Sequence, residues 1–367
     1  MCKECGHVQI LDIIDSSTLW DDYTYHSGQT KGIIEHFEEI AETVFEKYKP
    51  SKKNLVIDIG SNDGSLLRPF KNMGCNVLGV DPAWVIANEA TESGIETIPE
   101  ILTMELAKRI RKNYGSASLI TAFNVFAHTD DMNQIADSIK HLLAKDGIFV
   151  FEAQYLLDII DKFLVGTIFH EHMSHHSLKP LSRFLRVHGM EIINVEKNNI
   201  QHGSIIGTVQ LINGPRRKHS NVSNMITIED SRKLDKPEVF SPFIKKLEKM
   251  KRFFFDLTHE WMENNAVVAG FGAARSGPTL IAQYNFGKII QYIFDDHPQK
   301  VHKYSPGDKI PIIPTDELLK RKPNYTIILA WIHGQKIIKK NKEYLEKGGK
   351  FVLCYPDARI IDSVSDI

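Results

Sequence analysis

The sequence predicts an α/β protein with two Rossmann-like units in tandem. Strand-like runs alternate with helix-like runs in two stretches, one that starts near residue 54 and one that starts near residue 266. In each stretch the first strand leads into a glycine-rich turn, and the second strand ends in aspartate. Because such alternation is typical of a parallel sheet with helices on both faces, we expect two doubly wound sheets.

The composition is that of an ordinary globular protein. The 367 residues are 42% hydrophobic and 25% charged, and the formal net charge is -1. Without an overall positive charge, the chain is not expected to bind nucleic acid or an acidic membrane surface. The sequence has no apolar run of about 18 residues and lacks the basic and apolar segments of a signal peptide, so we expect a cytoplasmic protein without a membrane segment.

The first stretch contains the elements of one doubly wound domain. Apolar residues at helical spacing predict a helix over 33–48, which stops at Pro50. Further helices are predicted at 66–72 and at 132–143, and Gly147 is expected to end the second of them. Strands are predicted at 54–59, 76–81, 118–123 and 147–152.

A glycine-rich loop follows the first strand. Gly60 and Gly64 let the backbone approach a ligand closely. The pattern Asp-x-Gly-x-x-x-Gly, which begins at Asp58, differs from the Gly-x-Gly-x-x-Gly of a site for the NAD pyrophosphate. S-adenosylmethionine carries an ammonium and a sulfonium in place of phosphate, so the Asp58 carboxylate favours it as the ligand. A dehydrogenase and a tight turn without a ligand stay open as alternatives.

Other candidate cofactor contacts lie at strand ends. Asp81 closes the second strand, where a carboxylate can accept hydrogen bonds from both ribose hydroxyls. Asn62 belongs to the glycine-rich loop, and Asn124 follows the strand at 118–123. Because ligands lie beyond the carboxyl ends of strands, Asn124 and His128 are expected on the methyl-donor side. His128 is either a catalytic group or a histidine at the start of a helix.

The second stretch follows a polar segment, at about residues 213–241, that we interpret as a connector. A second glycine-rich loop, which contains Arg275, follows the strand that starts at 266, and further strands are predicted at 289–294, 325–330 and 350–354. The helix between connector and strand has one apolar face, which either packs on its own domain or forms a dimer seam, so a monomer and a homodimer both stay open. That face consists of Phe243, Leu247, Met250, Phe254, Leu257 and Trp261.

Four of the 16 histidines lie between residues 170 and 176. A metal site, an acid–base site and a solvated loop are the competing interpretations. The familiar zinc spacing His-Glu-x-x-His is absent from the segment, whereas acid–base chemistry needs one imidazole with a carboxylate that sets its tautomer. His172 with Glu171 beside it meets that need.

Cysteine usage does not indicate a disulfide framework. Of four cysteines, only Cys2 and Cys5 are close in sequence. Cys75 and Cys354 have apolar neighbours and are expected in the core.

Taken together, the motifs resemble the sugar C-methyltransferase family, whose members methylate C-3 of nucleotide-activated 4-keto-deoxysugars. The resemblance runs along nearly the whole chain. It rests on residues 2–9, 23–27, 58–64, 124–128, 170–172, 202–204, 270–277 and 330–333.

The resemblance implies three parts and an S-adenosylmethionine cofactor. A zinc-binding module is implied at 1–30, a Rossmann-like adenosylmethionine-dependent methyltransferase domain at 31–212, and a second Rossmann-like α/β domain, which holds the sugar nucleotide, at 213–367. The family has two Cys-x-x-Cys pairs, and this sequence has Cys2 and Cys5 alone. Two thiolates do not complete a tetrahedral zinc site, so either the chain is truncated or its zinc is lost.

The resemblance also implies roles for the site residues. His172 is the base, Glu171 and His128 orient or polarise, and Tyr25 contacts the sugar. Phe169 stands where the family usually has tyrosine. The residues implied to bind the diphosphate sugar are His202, Gly203, Ser204 and Arg275.

Two rival functions remain at this stage. One is a methyltransferase that acts on a sugar hydroxyl or amine, which needs no enolate. The other is a sugar-nucleotide-binding protein in which catalysis has decayed, an interpretation that the missing cysteines and the phenylalanine at position 169 favour.

Overall fold

The structure is a computed structural model that describes residues 1–15, 19–20, 23, 25–29, 32–50, 55–199 and 203–366. The chain divides into two compact units. Unit 1 comprises Met1–Asp158 and His170–Val239, and unit 2 comprises Ile159–Phe169 and Phe240–Ile367. Each unit contains one large sheet covered by helices, which confirms the predicted α/β class with two Rossmann-like domains.

Unit 1 is built on a seven-stranded sheet in the order β4-β3-β2-β5-β6-β9-β8. The first five strands in that order are parallel, and β9 runs antiparallel to both of its neighbours. The order reverses between β2 and β5, so the loops after these two strands meet at one edge. Outside this sheet, β1 pairs with β7. The strands are β1 (Val8–Gln9), β2 (Leu55–Ile59), β3 (Asn76–Val80), β4 (Thr97–Ile98), β5 (Ala117–Phe123), β6 (Leu143–Gln154), β7 (Ser174–His175), β8 (Met190–Asn198) and β9 (Ser204–Leu211).

The helices up to residue 231 surround this sheet. The first spans the residues that the sequence predicts, because its apolar face buries Ile33, Phe37 and Val44, and Lys49 ends it in a left-handed conformation. The helices are α1 (Ile33–Tyr48), α2 (Leu67–Asn72), α3 (Trp84–Glu92), α4 (Met104–Tyr114), α5 (Met132–Leu142), α6 (Leu156–Asp161), α7 (Leu178–Val187) and α8 (Ser220–Ser231).

Two predictions for this part of the chain are wrong. Gly147 does not end α5, because Leu143 adopts an extended conformation and starts β6 directly, and Gly147 lies within that strand. The segment predicted as a connector contains α8, whose Val222 and Glu229 are buried. The compact part of unit 1 therefore runs to Val239, and the expected boundary at residue 213 differs from the division in the structure.

Unit 2 is built on a six-stranded sheet in the order β12-β11-β10-β13-β14-β15. All neighbouring pairs are parallel except β14 and β15, and the order reverses between β10 and β13. Its elements are α9 (Ser241–Glu263), β10 (Val268–Phe271), α10 (Gly277–Tyr284), β11 (Ile290–Asp295), β12 (Ile312–Pro314), α11 (Leu318–Arg321), β13 (Tyr325–Ile328), α12 (Gly334–Lys340), α13 (Lys342–Glu346), β14 (Lys350–Leu353) and β15 (Arg359–Ile361).

The apolar face of α9 packs on its own unit. Trp261 is buried and stacks on Tyr325, with ring centroids 4.5 Å apart, and the ring of Phe254 lies 4.6 Å from that of Tyr284. This favours packing within the domain over a dimer seam. Cys75 and Cys354 are buried, as predicted. Among the described residues, no helix combines the length and the apolar character that a membrane crossing requires.

Candidate active site

The glycine-rich loop after β2 has the close approach that its sequence predicts. Gly60 has a φ of 68° and its N–H donates to the carbonyl oxygen of Val80 at 2.7 Å. A Cβ on Gly60 would lie 2.5 Å from Cγ2 of Val125, which is in the loop after β5. Gly64 has a φ of 75°. The two loops at the point where the strand order reverses therefore pack directly on each other, which only glycine permits at position 60.

The Asp81 carboxylate holds this loop from the end of β3. Its Oδ2 accepts the backbone N–H of Asn62 at 2.8 Å, and its Oδ1 accepts that of Ala83 at 2.8 Å. Burial raises the pKa of Asp81, while these two hydrogen bonds oppose that rise. Asn62 itself is buried, with a φ of 49°. Because each carboxylate oxygen has two lone pairs, Asp81 retains acceptor capacity for a ligand hydroxyl.

Asp58 lies beneath the loop, next to the last residue of β2. Its side chain is buried and its Oδ1 accepts the hydroxyl of Thr121 at 2.6 Å. Burial raises the pKa of Asp58 to about 8, an effect that the Thr121 hydrogen bond opposes and the neighbouring Asp81 charge reinforces. A positive charge placed nearby would favour the ionised form of this carboxyl.

A segment that precedes α1 lies against the same loop. Asn62 Oδ1 accepts the N–H of Ser27 at 2.8 Å, and Asn62 Nδ2 donates to the carbonyl oxygen of Tyr25 at 2.8 Å. The N–H of Gly28 donates to Asp63 at 2.8 Å. The structure thus brings together Tyr25 and Asn62, which the sequence assigned to the sugar and to the cofactor respectively.

The loop has the properties of a cradle for S-adenosylmethionine. The hydroxyl oxygen of Ser61 is buried and has no hydrogen-bond partner within the part of the chain that the structure describes. Gly60 leaves open a space that a side chain would fill, and the nearby charged groups Asp58 and Asp81 are both acidic. An acidic, glycine-lined cradle suits a cationic nucleoside better than a diphosphate.

Asn124 and His128 follow β5 at the edge where the strand order reverses. Asn124 has a φ of 59°, and its N–H donates to the carbonyl oxygen of Glu152 at 2.8 Å. His128 is half-buried, and its ring centroid lies 5.0 Å from that of His172 in an edge-to-face arrangement. Two of the predicted catalytic imidazoles are therefore neighbours. His128 precedes α5 by several residues, so it is not at the start of that helix.

The remaining histidines of the cluster differ in their surroundings. His170 is exposed, and its Nε2 lies 3.9 Å from Oε1 of Glu171. His175 and His176 are buried. Burial, together with the neighbouring imidazoles, lowers the pKa of His175 to about 3 and that of His176 to about 4. These two side chains are therefore neutral at pH 7, and the interpretation of the segment as a solvated loop is wrong for them.

The residues predicted to bind the sugar nucleotide lie in both units. In unit 1, Gly203 has a φ of 139° and passes so close to Asp158 that a Cβ would lie 2.4 Å from its Oδ2. Ser204 is fully buried at the start of β9. Arg275 is half-buried in unit 2, and His202 lies outside the described residues.

The glycine-rich loop of unit 2 has the same backbone arrangement as the loop of unit 1. Gly272 donates to the carbonyl oxygen of Phe294 at 2.7 Å. Asp295 accepts the N–H of Ala273 at 2.7 Å and that of His297 at 2.8 Å. Arg275 therefore belongs to a second loop of the nucleoside-binding type.

Cys2 and Cys5 do not form a metal site with other side chains. Both are exposed, and over the described ranges no group of three or more histidine, cysteine, aspartate or glutamate side chains is arranged to hold a metal ion. The residues present therefore do not fit a structural zinc ion.

Sequence reasoning missed a buried polar network at the carboxyl end of β6. Glu152 Oε2 lies 2.8 Å from His36 Nε2, and Glu152 Oε1 accepts from Asn198 Nδ2 at 3.0 Å. The three residues come from α1, β6 and the end of β8. A polar histidine on the otherwise apolar face of α1 is the one signal that pointed to this network.

Two family models match the chain in succession. A model described as a methyltransferase domain matches residues 34–197, and one described as a C-methyltransferase C-terminal domain matches residues 199–356. The C-methyltransferase NovU of Streptomyces niveus is 30% identical over 368 residues, which is 100% of this chain and 88% of NovU. The chain belongs to the C-methyltransferase family. This confirms the predicted family and enzyme class.

Other similarities to this C-methyltransferase cover less of it. The ubiquinone biosynthesis O-methyltransferase of Colwellia psychrerythraea is 25% identical over 172 residues, which is 42% of this chain and 68% of that protein. The solved magnesium protoporphyrin IX methyltransferase of Synechocystis PCC 6803 with bound SAM is 15% identical, with a TM-score of 0.39, and the match covers 55% of this chain and 99% of that chain. The similarity that spans the whole chain is to a carbon methyltransferase.

Proposed function

We propose that this C-methyltransferase transfers a methyl group from S-adenosylmethionine to C-3 of a nucleotide-activated 4-keto-deoxysugar through an enolate. The observation that carries the proposal is the contact between His128 and His172, because a carbon acceptor needs a base and a sugar hydroxyl does not. The keto group is required because a ring carbon becomes nucleophilic only after a neighbouring carbonyl makes its proton acidic.

The glycine-rich loop of unit 1 would hold the methyl donor. Asp81 would accept hydrogen bonds from the ribose, while Gly60 and Gly64 allow close backbone approach. Asp58 would balance positive charge from beneath the loop, and Asn124 would contact the donor from the neighbouring strand end. When bound, S-adenosylmethionine supplies a methyl group on a sulfonium, which makes that methyl electrophilic.

The imidazole of His172 would act as the base. It accepts the C-3 proton of the sugar, the electrons of the C–H bond move to the carbonyl oxygen, and the resulting enolate carbon then takes the methyl group. His128 supports the enolate or orients His172, and Glu171 contributes negative charge to the same segment. General-base assistance of this kind typically contributes about 10² to 10⁴ in rate.

The sugar nucleotide would be held by groups from both units. Tyr25, which the side chain of Asn62 holds by its carbonyl oxygen, is assigned a sugar contact. Gly203 and Ser204, with His202, are assigned to the same ligand in unit 1. Arg275 in the second glycine-rich loop would supply positive charge for the diphosphate, and unit 2 is in this proposal the substrate-binding domain.

A panel of nucleotide 4-keto-deoxysugars with labelled S-adenosylmethionine tests the proposal. We expect methylated product with the new carbon–carbon bond at C-3, and exchange of the C-3 proton with deuterated solvent in the absence of the donor. Methylation at a hydroxyl or amine without such exchange would show that the acceptor is not carbon. Donor binding without any product would favour the catalytically decayed protein.

The base assignment has its own test. The variant His172→Asn should lose C-3 proton exchange while it still binds S-adenosylmethionine. The matched control is His259→Asn, because His259 is exposed on α9 and lies in the other unit. Exchange at the wild-type rate in His172→Asn would exclude His172 as the base.

A further inference from the structure

The N-terminal strand β1 is paired with the residues that directly follow His172. Val8 lies opposite His175 in the antiparallel pair of β1 and β7. The N–H of Ile10 donates to the carbonyl oxygen of Met173 at 3.0 Å. Because Met173 is adjacent to His172 in the chain, the backbone that carries the proposed base is held by the first ten residues of the protein.

Side chains reinforce this pairing. His7 Nε2 lies 3.1 Å from the hydroxyl oxygen of Ser174, and the ring centroids of His7 and His176 are 5.7 Å apart. A tight turn orients His7, because Cys2 donates its N–H to the carbonyl oxygen of His7 at 2.7 Å and accepts that of Gly6 at 3.0 Å. The turn thus presents the His7 imidazole to β7 in a defined direction.

The same turn is anchored on the body of unit 1. Gly6 has a φ of 78°, and a Cβ on it would lie 2.7 Å from Cβ of Asp235. The Asp235 carboxylate accepts from Lys179 Nζ at 2.9 Å, and Lys179 belongs to α7. The turn therefore rests on a part of the unit that does not depend on the histidine segment.

On its other side, β7 is linked to the residue that precedes His128. The N–H of Ser174 donates to the carbonyl oxygen of Ala127 at 3.2 Å. The chain order β1, β7 and the loop after β5 thus places Ser174 between the N-terminal strand and His128. A displacement of β7 would change the distance between the rings of His128 and His172.

The other end of the histidine segment is held by separate contacts. The N–H of Leu156 donates to the carbonyl oxygen of His176 at 2.8 Å. The buried carboxylate of Glu229 accepts the N–H of Leu178 at 2.6 Å and that of Lys179 at 2.8 Å, at the start of α7. Residues 176–179 are therefore fixed without β1, whereas Met173 and Ser174 depend on it.

We propose that the N-terminal segment, residues 2–10, positions His172 against His128, and that His7 is a positioning residue for the reaction. This inference rests on the proposed role of His172 as the base. It gives the N-terminal segment a function in catalysis that requires no metal ion. Loss of the positioning contact should lower turnover by up to about 100-fold, since a small misplacement of a catalytic group has an effect of that size.

The experiment uses the full chain with three variants. His7→Phe keeps an aromatic ring but removes the hydrogen bond to Ser174, and Ile10→Pro removes the N–H that bonds to Met173. His7→Gln retains a side-chain donor in a similar place and should restore much of the lost turnover. Leu11→Ala is the matched control, because Leu11 follows the segment and is 92% exposed.

Two readouts separate positioning from the chemistry. Selective labelling of histidine allows the contact between the His128 and His172 rings to be followed by nuclear Overhauser effects, with no substrate present. We expect the contact to weaken in His7→Phe and Ile10→Pro, with turnover reduced, unchanged affinity for S-adenosylmethionine, and wild-type behaviour in Leu11→Ala.

Each other outcome decides against one of the two ideas. An unchanged ring contact in both variants would overturn the positioning role, as would a weakened contact with full turnover. A wild-type protein that methylates no sugar would contradict the proposed function instead, and the ring contact would still report whether residues 2–10 hold His172 in place.

Discussion

The imidazole rings of His128 and His172 meet edge to face, with centroids 5.0 Å apart. His128 follows a strand of the central sheet, whereas His172 lies in a segment far along the chain that runs into β7. The hydrogen bond from Ser174 to Ala127 joins the two segments one or two residues from each ring. Predictions about this site and its cofactor loop follow from contacts of the same kind.

Gly60→Ala should abolish close packing of the cofactor loop. The new Cβ would lie 2.5 Å from Cγ2 of Val125, and the φ of 68° is itself unfavourable for alanine, so we expect a loss of stability of more than about 1 kcal/mol and weakened binding of S-adenosylmethionine. Urea unfolding and calorimetry measure the two effects.

Two further variants show whether the clash or the backbone conformation causes the effect of Gly60→Ala. Gly348→Ala has a φ of 86° with no atom within 4 Å of the new Cβ, so it carries the conformational cost alone. Adding Val125→Ala to Gly60→Ala should recover part of the lost binding. No recovery in the double variant would contradict the packing explanation.

Asp81→Asn should loosen the same loop. An amide can accept from one of the two N–H groups, of Asn62 and Ala83, but its NH₂ would face the other as a second donor. Hydrogen bonds to charged groups contribute about 2 kcal/mol each, so we expect a loss of that size in the free energy of unfolding. Asp130→Asn, an exposed carboxylate on the surface of unit 1, is the control. Equal stability of the two variants would contradict the assignment.

Affinity for S-adenosylmethionine should rise with pH up to about 8. The pKa of Asp58 is about 8, so its carboxyl is protonated below that pH and ionised above it. A cationic ligand stabilises the ionised form, and binding therefore releases a proton at neutral pH. Titration calorimetry from pH 6 to 9 measures this, with Asp58→Asn as the comparison, because the titration of the ligand itself is common to both proteins. Identical pH dependence in the two would exclude Asp58 as a charge partner.

His176 should make stability depend on pH in the acidic range. Burial, with the charge on His7 adding to it, lowers the pKa of His176 from 6.5 to about 4. Between these values the unfolded chain binds a proton that the folded chain does not, so stability is complete above pH 6.5 and is lost as the pH falls. Relative to His176→Phe, the wild-type free energy of unfolding should decrease by roughly 1 kcal/mol per pH unit in this window.

Urea unfolding between pH 4.5 and 7.5 measures this difference in slope. The exposed His259→Phe serves as the control and should keep the wild-type slope, because an exposed imidazole titrates alike in both states. Parallel curves for wild type and His176→Phe would contradict a neutral, buried His176.

Features that depend on neighbours in the sequence were predicted well. The bounds of α1 follow from the spacing of its apolar residues, and the conformations of Gly60 and Gly64 follow from their place after a buried strand. The prediction failed at Gly147, because a glycine that ends helices elsewhere is also compatible with a bulged strand. It failed at α8 because the polar surface of that helix resembles a connector.

By itself, the sequence determined the two doubly wound units, the acidic glycine-rich loop and the segment with the proposed base, since each depends on local periodicity or on the conformational freedom of glycine. Only the tertiary structure decided which distant segments meet there. Asn62 holds Tyr25, Glu152 pairs with His36, and the N-terminal strand holds the residues after His172. These contacts are single hydrogen bonds and short strand pairs between segments far apart in the chain, and such pairs have no periodic pattern that the sequence could display.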